Sequence, residues 1–234
     1  MEDVTVYNID EWKHIFKLDP AKELSDEMID KICESGTDAI IVGGTDDVTL
    51  DGVLHLLSSI RRHSVPVLLE ISNIESVTPG FDYYLVPMVL NSQKKKWMMD
   101  IQQEAVREYG DVINWQEMLA EGYCIMNDES KVYQHTECTL PTEEDAIAYA
   151  RMAEHLFRLP FFYLEFSGTY ADATFVEKIA DELTDTKLIY GGGITTKQQA
   201  AEMSQYADIV VVGNSLYDKP KEALKTVKAV KQTS

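Results

Sequence analysis

The chain has 234 residues, 45% of them hydrophobic, and a formal net charge of −19. That composition supplies one substantial core, read as a single domain over residues 1–234, and its charge excludes a general nucleic-acid surface and electrostatic adsorption to anionic lipid. No apolar run is long enough to span a bilayer, "MEDVTVYNIDEWKH" opens on acids where a signal peptide carries basic and apolar residues, and the three cysteines (Cys33, Cys124, Cys138) lack zinc-site or disulfide spacing, so the expected setting is a reduced cytoplasm.

In chain order, short apolar runs of buried parallel-strand type alternate with helical patterns. "HIFKLD" leads to a helix over Ser25–Glu34, "DAIIVGG" to one over Val48–Arg62, and "PVLLEIS" to "NIESVTPGFD", which is too short for a crossover helix and broken by Pro79 and Gly80. "YYLVPMVL" precedes a helix over Lys94–Tyr109, "GYCIMN" one over Thr142–Phe157, and "FFYLEF" one over Asp172–Leu183. "KLIYGGG" precedes Thr196–Tyr206, and "DIVVVGN" precedes the basic closing helix Pro220–Lys231. Ser25 and Thr142, each followed by acids, are expected N-caps. Eight strand–helix units in this length predict a (β/α)8 TIM barrel whose third helix is missing or replaced by an extended segment; the gap is a harmless deletion, the reading the sequence alone favours, or it opens the side to a long apolar ligand. An open doubly wound sheet would place a glycine-rich turn after strand one, where "FKLDP" stands instead.

Chemistry in such barrels gathers at the strand ends. "YGGGITT" and "VVGNS" are placed to offer backbone N–H groups to a phosphate, the glycines clearing space for its approach; a tight strand-to-helix turn explains one or two of them. In "KLDP", Lys17 and Asp19 share one side of the strand. Lys17 suits a phosphate and Asp19 a Mg2+ ion, or the two form an internal salt bridge. Thr45 adds a hydroxyl ligand if strands one and two are neighbours; alternatively Thr45 or Asp46 caps the helix that follows. Glu165, alone in the apolar "YLEFSG", is either paired, with Lys17 as the partner, or used as a general base whose pKa burial raises.

Taken in order, "EWKHIFKLDP", "SGTDAIIVGGTDD", "VLLEIS", "VPMVLNS", "AEGYCIMN", "FYLEFSG", "YGGGI" and "DIVVVGN" resemble the prenylglyceryl phosphate synthases, in their bacterial PcrB-type heptaprenylglyceryl branch, over nearly the whole chain. The resemblance implies a homodimeric barrel in which Mg2+ helps a polyprenyl diphosphate, heptaprenyl (C35) in this branch, alkylate the 3-hydroxyl of sn-glycerol 1-phosphate. Carried over by position, Lys17, the stretch Tyr163, Leu164, Glu165, Phe166, Ser167 and Gly168, and Gly193, Gly213 and Asn214 bind glycerol phosphate, while Asp19 and Thr45 bind Mg2+. Phe166 stands where the family often has tyrosine. Ala105 matches a position that is small in the long-chain branch and bulky in the shorter-chain one. Glu165 and Tyr163 would be catalytic, the first taking the hydroxyl proton and the second holding the acceptor in line. Transient membrane contact beside the groove would deliver the lipid. A phosphosugar isomerase or lyase, or a metabolite-binding barrel without activity, would share the phosphate loops but not the need for Mg2+ and an apolar groove.

Overall fold

The structure, a computed structural model, describes residues 7–233; the acidic start at residues 1–6 lies outside the described residues. Eight parallel strands close into a barrel in sequence order: β1 (His14–Leu18), β2 (Ala39–Val42), β3 (Val67–Glu70), β4 (Tyr83–Val89), β5 (Met118–Ile125), β6 (Phe161–Glu165), β7 (Lys187–Gly191) and β8 (Ile209–Val212). The seam is made by β1 against β8, with Ile15 opposite Val211.

Alternation along each strand sorts the side chains into two apolar layers. Ile15, Ile41, Leu68 and Tyr163 fill the barrel, while Phe16, Leu18, Ile40 and Leu164 face outward against the helices. Complete burial of one such side chain contributes about 1.5–3 kcal/mol, so these layers dominate folding. Both faces are covered, which is why the strands read as continuous apolar runs.

The helices α1 (Asp26–Cys33) and α2 (Leu50–Ile60) follow β1 and β2. Ser25 caps α1 as expected, its side chain accepting from the Met28 N–H. α2 is capped by Thr49, not by Thr45 or Asp46, so those two residues are left to the barrel mouth. Between β3 and β4 the crossover helix is reduced to one 3-10 turn, Ile74–Ser76. The extended remainder is pinned by Arg61, the C-cap of α2, which donates to Gly80 O at 2.9 Å and to Asp82 Oδ2 at 2.8 Å.

The next two expected helices are each two-part. A π-helical turn, Lys96–Asp100, leads into α3 (Ile101–Tyr109), and neither contains a fully buried residue. After the short helix α4 (Lys131–His135), α5 (Glu143–Arg151) runs into a second π-helical turn, Met152–Phe157. Thr142 caps α5 in a reciprocal capping box with Asp145. The barrel is completed by α6 (Ala173–Ala180), α7 (Lys197–Met203), the short α8 (Ser215–Asp218) and α9 (Pro220–Thr233). The sequence pattern does not announce α4 or α8: each is about one turn, too short for a helical period to register.

Candidate active site

The carboxyl-terminal strand ends open into one cavity of about 900 Å3. Its polar part is lined by Lys17, Asp19, Thr45, Glu70, Tyr163 and Glu165, joined by Ser167, Gly168, the Gly191–Gly193 run, Gly213 and Asn214. Leu164 and Phe166 do not line it; strand alternation turns Leu164 into the outer layer, where the Phe166 ring packs on Phe175 and Tyr190. Any contact those two make with a bound molecule is therefore through the backbone.

Lys17 does not pair with Asp19 or with Glu165. Its ammonium donates to both oxygens of Glu70, at 2.7 and 2.8 Å, and stands 5.9 and 5.8 Å from the ring centroids of Tyr123 and Tyr163. Burial works against that charge, but Glu70, Glu165 and Glu121 outweigh it and hold the Lys17 pKa above its ordinary value. Gly43 makes the pair sterically possible, because a Cβ there would come within 2.8 Å of the Glu70 Cβ.

Glu165, 7% exposed, is fixed by three donors. The Tyr123 hydroxyl donates to Oε2 at 2.8 Å, and the Ser167 N–H and hydroxyl donate to Oε1 at 2.6 and 2.9 Å. Ser167 adopts φ +35°, a left-handed conformation unusual for a residue with a side chain, so the loop stores strain where it presents this carboxylate. The Tyr163 hydroxyl beside it is buried without a hydrogen-bond partner. Burial foremost, then the carboxylates Glu165, Glu70 and Glu121, keeps that phenol protonated well above its usual range.

Beneath this layer lies Glu121. The sequence pattern starts the fifth strand at Gly122, but β5 begins at Met118 and carries Glu121 to full burial, with neither oxygen hydrogen-bonded. Burial, then Glu70 and Glu165, push its pKa well above the usual carboxylate range, with Lys17 opposing only in part. The folded protein thus keeps a proton that the unfolded chain gives up above pH 4.5, so stability falls as pH rises through that window. Glu121→Gln should remove this slope, gaining on the parent protein by about 1.4 kcal/mol per pH unit until the folded group ionises. Urea denaturation at pH 5 and 8 measures it; equal gains at both pH values would contradict a protonated Glu121.

The glycine triplet has structural duties before any ligand arrives. A Cβ on Gly191 would lie 2.3 Å from the Tyr163 hydroxyl, and one on Gly192 would lie 2.4 Å from the Phe166 Cβ. Gly193 adopts φ +62° with the Thr169–Tyr170 backbone within 2.4 Å of where its Cβ would stand. Close passage of the β6 and β7 loops therefore demands these glycines. Gly213 differs: its Cβ would meet Lys17 O at 3.4 Å, an ordinary contact.

Asp19 and Thr45 lie on adjacent strand ends, β1 and β2 being paired. Gly44 leaves room for the Asp19 carboxylate, since a Cβ there would approach Asp19 Oδ1 to 2.5 Å. Among the described residues no cluster of three or more His, Cys, Asp or Glu forms a protein-only metal cage. A carboxylate and a hydroxyl are hard oxygen donors, and their small number fits Mg2+, which keeps waters and shares substrate phosphates.

Away from the loops the cavity turns apolar along Pro87, Val89, Trp97 and Ile101. Ala105 does not line it; half-buried, it stands one helical turn beyond Ile101 on α3. Among the described residues, four of the six buried side-chain polar atoms without a partner, on Ser72, Gln102, Tyr163 and Ser215, line this cavity, and the other two belong to Glu121 below it. Buried polar atoms are seldom left unpaired, so the cavity lining carries unused hydrogen-bonding capacity.

The PcrB family profile matches residues 7–231, which takes in all eight strands. The chain belongs to the PcrB family. Heptaprenylglyceryl phosphate synthase of Oceanobacillus iheyensis is 63% identical over 225 residues, covering 96% of this chain and 98% of that protein. The enzyme of the same name from Geobacillus sp. is 59% identical, over 97% of this chain and 100% of its own length. Among solved structures, (S)-3-O-geranylgeranylglyceryl phosphate synthase from Thermoplasma acidophilum, in complex with its substrate sn-glycerol-1-phosphate, superposes with a TM-score of 0.83 at 24% identity, covering 94% of each chain. Thiamine phosphate pyrophosphorylase from Pyrococcus furiosus gives 0.58 at 14% identity, covering 97% of this chain and 99% of that one. The structural likenesses speak for the barrel.

Within this PcrB barrel, the residues that the linear pattern leaves out are Tyr123 and Glu121 on β5, Glu70 as the Lys17 partner, and Lys22. Only the "EGY" triplet could have signalled the β5 pair, since Glu121 and Tyr123 alternate onto one face of a strand.

Proposed function

We propose that this PcrB family member is a prenyltransferase that moves a long polyprenyl group, heptaprenyl by preference, from its diphosphate to the 3-hydroxyl of sn-glycerol 1-phosphate. The allylic C–O bond to diphosphate breaks, an ether C–O bond forms, and the hydroxyl proton passes to Glu165. The observation that carries the reading is one continuous cavity that joins glycine-rich loops and a fixed carboxylate to an apolar run ending at Trp97 and Ile101. A phosphosugar isomerase needs the first part and has no use for the second. The 59–63% identity to heptaprenylglyceryl phosphate synthases over nearly the full length supports the same reaction.

The acceptor phosphate is received by the backbone of Gly193, Gly213 and Asn214, and Lys17 supplies a fixed positive charge at the floor. Tyr163 and Glu165 face the hydroxyl: the phenol orients it and the carboxylate removes its proton. Asp19 and Thr45 would hold Mg2+, which when bound would supply positive charge to the leaving diphosphate. The apolar walls exclude water, so the ether oxygen and not water captures the electron-deficient carbon. The reading includes a homodimer in the cytoplasm that touches the membrane transiently. No helix among the described residues is long and apolar enough to cross a membrane.

Product analysis by mass spectrometry with both glycerol phosphate enantiomers and a C20 to C35 series of prenyl diphosphates tests this. A prenyl ether of glycerol 1-phosphate is expected, and absence of ether from every pairing would end the reading. The same series examines chain length. Ala105→Trp should shift preference by roughly tenfold toward shorter donors, since a buried ring fills space worth several methylene groups. Unchanged preference would mean that the donor tail does not reach past Ile101 to Ala105.

A further inference from the structure

A chain of net charge −19 that binds two polyanions must supply cations locally, and the lysines lining the cavity are Lys17, Lys22 and Lys131. Their present partners decide which of them a ligand can recruit. Lys17 is committed, held in two short contacts to the buried Glu70. Lys22 donates at 3.0 Å to a neutral acceptor, Asn214 Oδ1, and its nearest carboxylate oxygen, on Asp19, is 3.7 Å away. Its ammonium rests 5.0 Å from the centroid of the Tyr217 ring, and the Tyr217 hydroxyl is itself fixed by the Asp19 N–H at 2.9 Å. Lys22 thus meets Asp19 in a loose ion pair without a hydrogen bond to it, and its hydrogen bond goes to a neutral oxygen.

Lys131 opens α4, behind the N-cap Ser130, and its ammonium is 2.8 Å from Asp46 Oδ2. Asp46 follows β2 and Lys131 follows β5, strands separated by β3 and β4, so this bridge spans the barrel mouth. The Lys131 side chain is 79% exposed and that of Asp46 42%. An ion pair so open to water is screened and yields easily to a more highly charged anion. Asp19, Asp46 and Asp47 line the same cavity mouth as Lys22 and Lys131, so both ammonium groups stand over one acidic rim.

We propose that Lys22 and Lys131 close on the diphosphate of the prenyl donor from opposite banks of the mouth, an inference that rests on the prenyl-transfer reading above. The acceptor phosphate has backbone N–H groups to meet it, whereas the diphosphate gains charge as its C–O bond breaks, and two mobile ammonium groups beside Asp19 follow that growth. Lys131 leaves Asp46 for the diphosphate, and Lys22 turns from the Asn214 amide oxygen.

The test is calorimetric titration of inorganic diphosphate into the full chain, with and without Mg2+, for the parent protein, Lys22→Met, Lys131→Met and the control Lys225→Met. Lys225 pairs with Glu222 on α9, outside the cavity, so its loss changes net charge alone. Diphosphate affinity should fall roughly 10- to 100-fold for each of the first two variants, as for a lost charge-assisted hydrogen bond, and stay unchanged for the control. Affinity for glycerol 1-phosphate should stay within about twofold of the parent in all three, which also shows that they are folded. In turnover both variants should raise KM for the prenyl diphosphate and lower kcat. Undiminished diphosphate affinity, a loss at only one lysine, or a loss of glycerol 1-phosphate affinity in place of diphosphate affinity would each overturn the proposal. A parent protein that binds diphosphate through both lysines yet forms no ether would instead reject the prenyl-transfer reading and leave the lysine site standing.

Discussion

Glu165→Gln should lower kcat by roughly a thousandfold while affinity for glycerol 1-phosphate changes less than about threefold, because a positioned general base contributes about 10²–10⁴ in rate. The substitution is nearly isosteric, and the surrounding donors can adapt. The glutamine oxygen keeps the Ser167 N–H and hydroxyl, while its NH2 faces the Tyr123 hydroxyl, which rotates to accept. What disappears is, among the described residues, the only carboxylate at the cavity whose two oxygens are aimed by three donors. Single-turnover kinetics separate the chemical step from product release, and calorimetry reports binding. A kcat within tenfold of the parent would place the proton elsewhere. A barrel that only binds its ligand predicts no change in either measurement.

The second large effect distinguishes two glycines that look alike in the sequence. Gly193→Ala forces a side chain into φ +62° and sets its Cβ 2.3–2.4 Å from the Thr169–Tyr170 backbone, which has no rotamer to move aside. The left-handed conformation costs about 1–2 kcal/mol and the overlap about 1–3 kcal/mol more, so Tm should fall by roughly 5–15 °C for a chain of this size. Gly213→Ala meets only ordinary contacts at 3.4 and 3.7 Å, so its Tm should move by less than about 2 °C. Its methyl group instead enters the cavity and should raise the KM for glycerol 1-phosphate about tenfold, a loss of about 1.4 kcal/mol. Thermal denaturation with steady-state kinetics on both variants reads this out. Matching stability losses would mean that the triplet is not held by loop packing.

Glu70 shows how far each source of information reaches. Its position at a strand end is visible in "LLEIS", but its pairing with Lys17 is not, because the two are 53 residues apart and meet only when β1 and β3 present the same layer to the barrel interior. The glycine triplet is legible as a constraint, but its packing is not. Besides the room for a phosphate that the sequence suggests, the loops need Gly191 for the Tyr163 hydroxyl and Gly193 for the Thr169 backbone.

By itself the sequence determined the strand–helix alternation, the reduced third crossover, the Ser25 and Thr142 caps, and the polar residues at the strand ends. Each of these is written in a window of a few residues, where hydrophobic period, capping chemistry and chain-breaking residues act. Only the tertiary structure decided that Lys17 binds Glu70, that Tyr123 and Ser167 aim Glu165, that Glu121 is sealed in the core, and that Lys131 reaches across to Asp46. Closing eight strands fixes their stagger, and the stagger chooses which inward side chains share a layer. That choice is made by the whole ring at once, so no single stretch of the chain contains it.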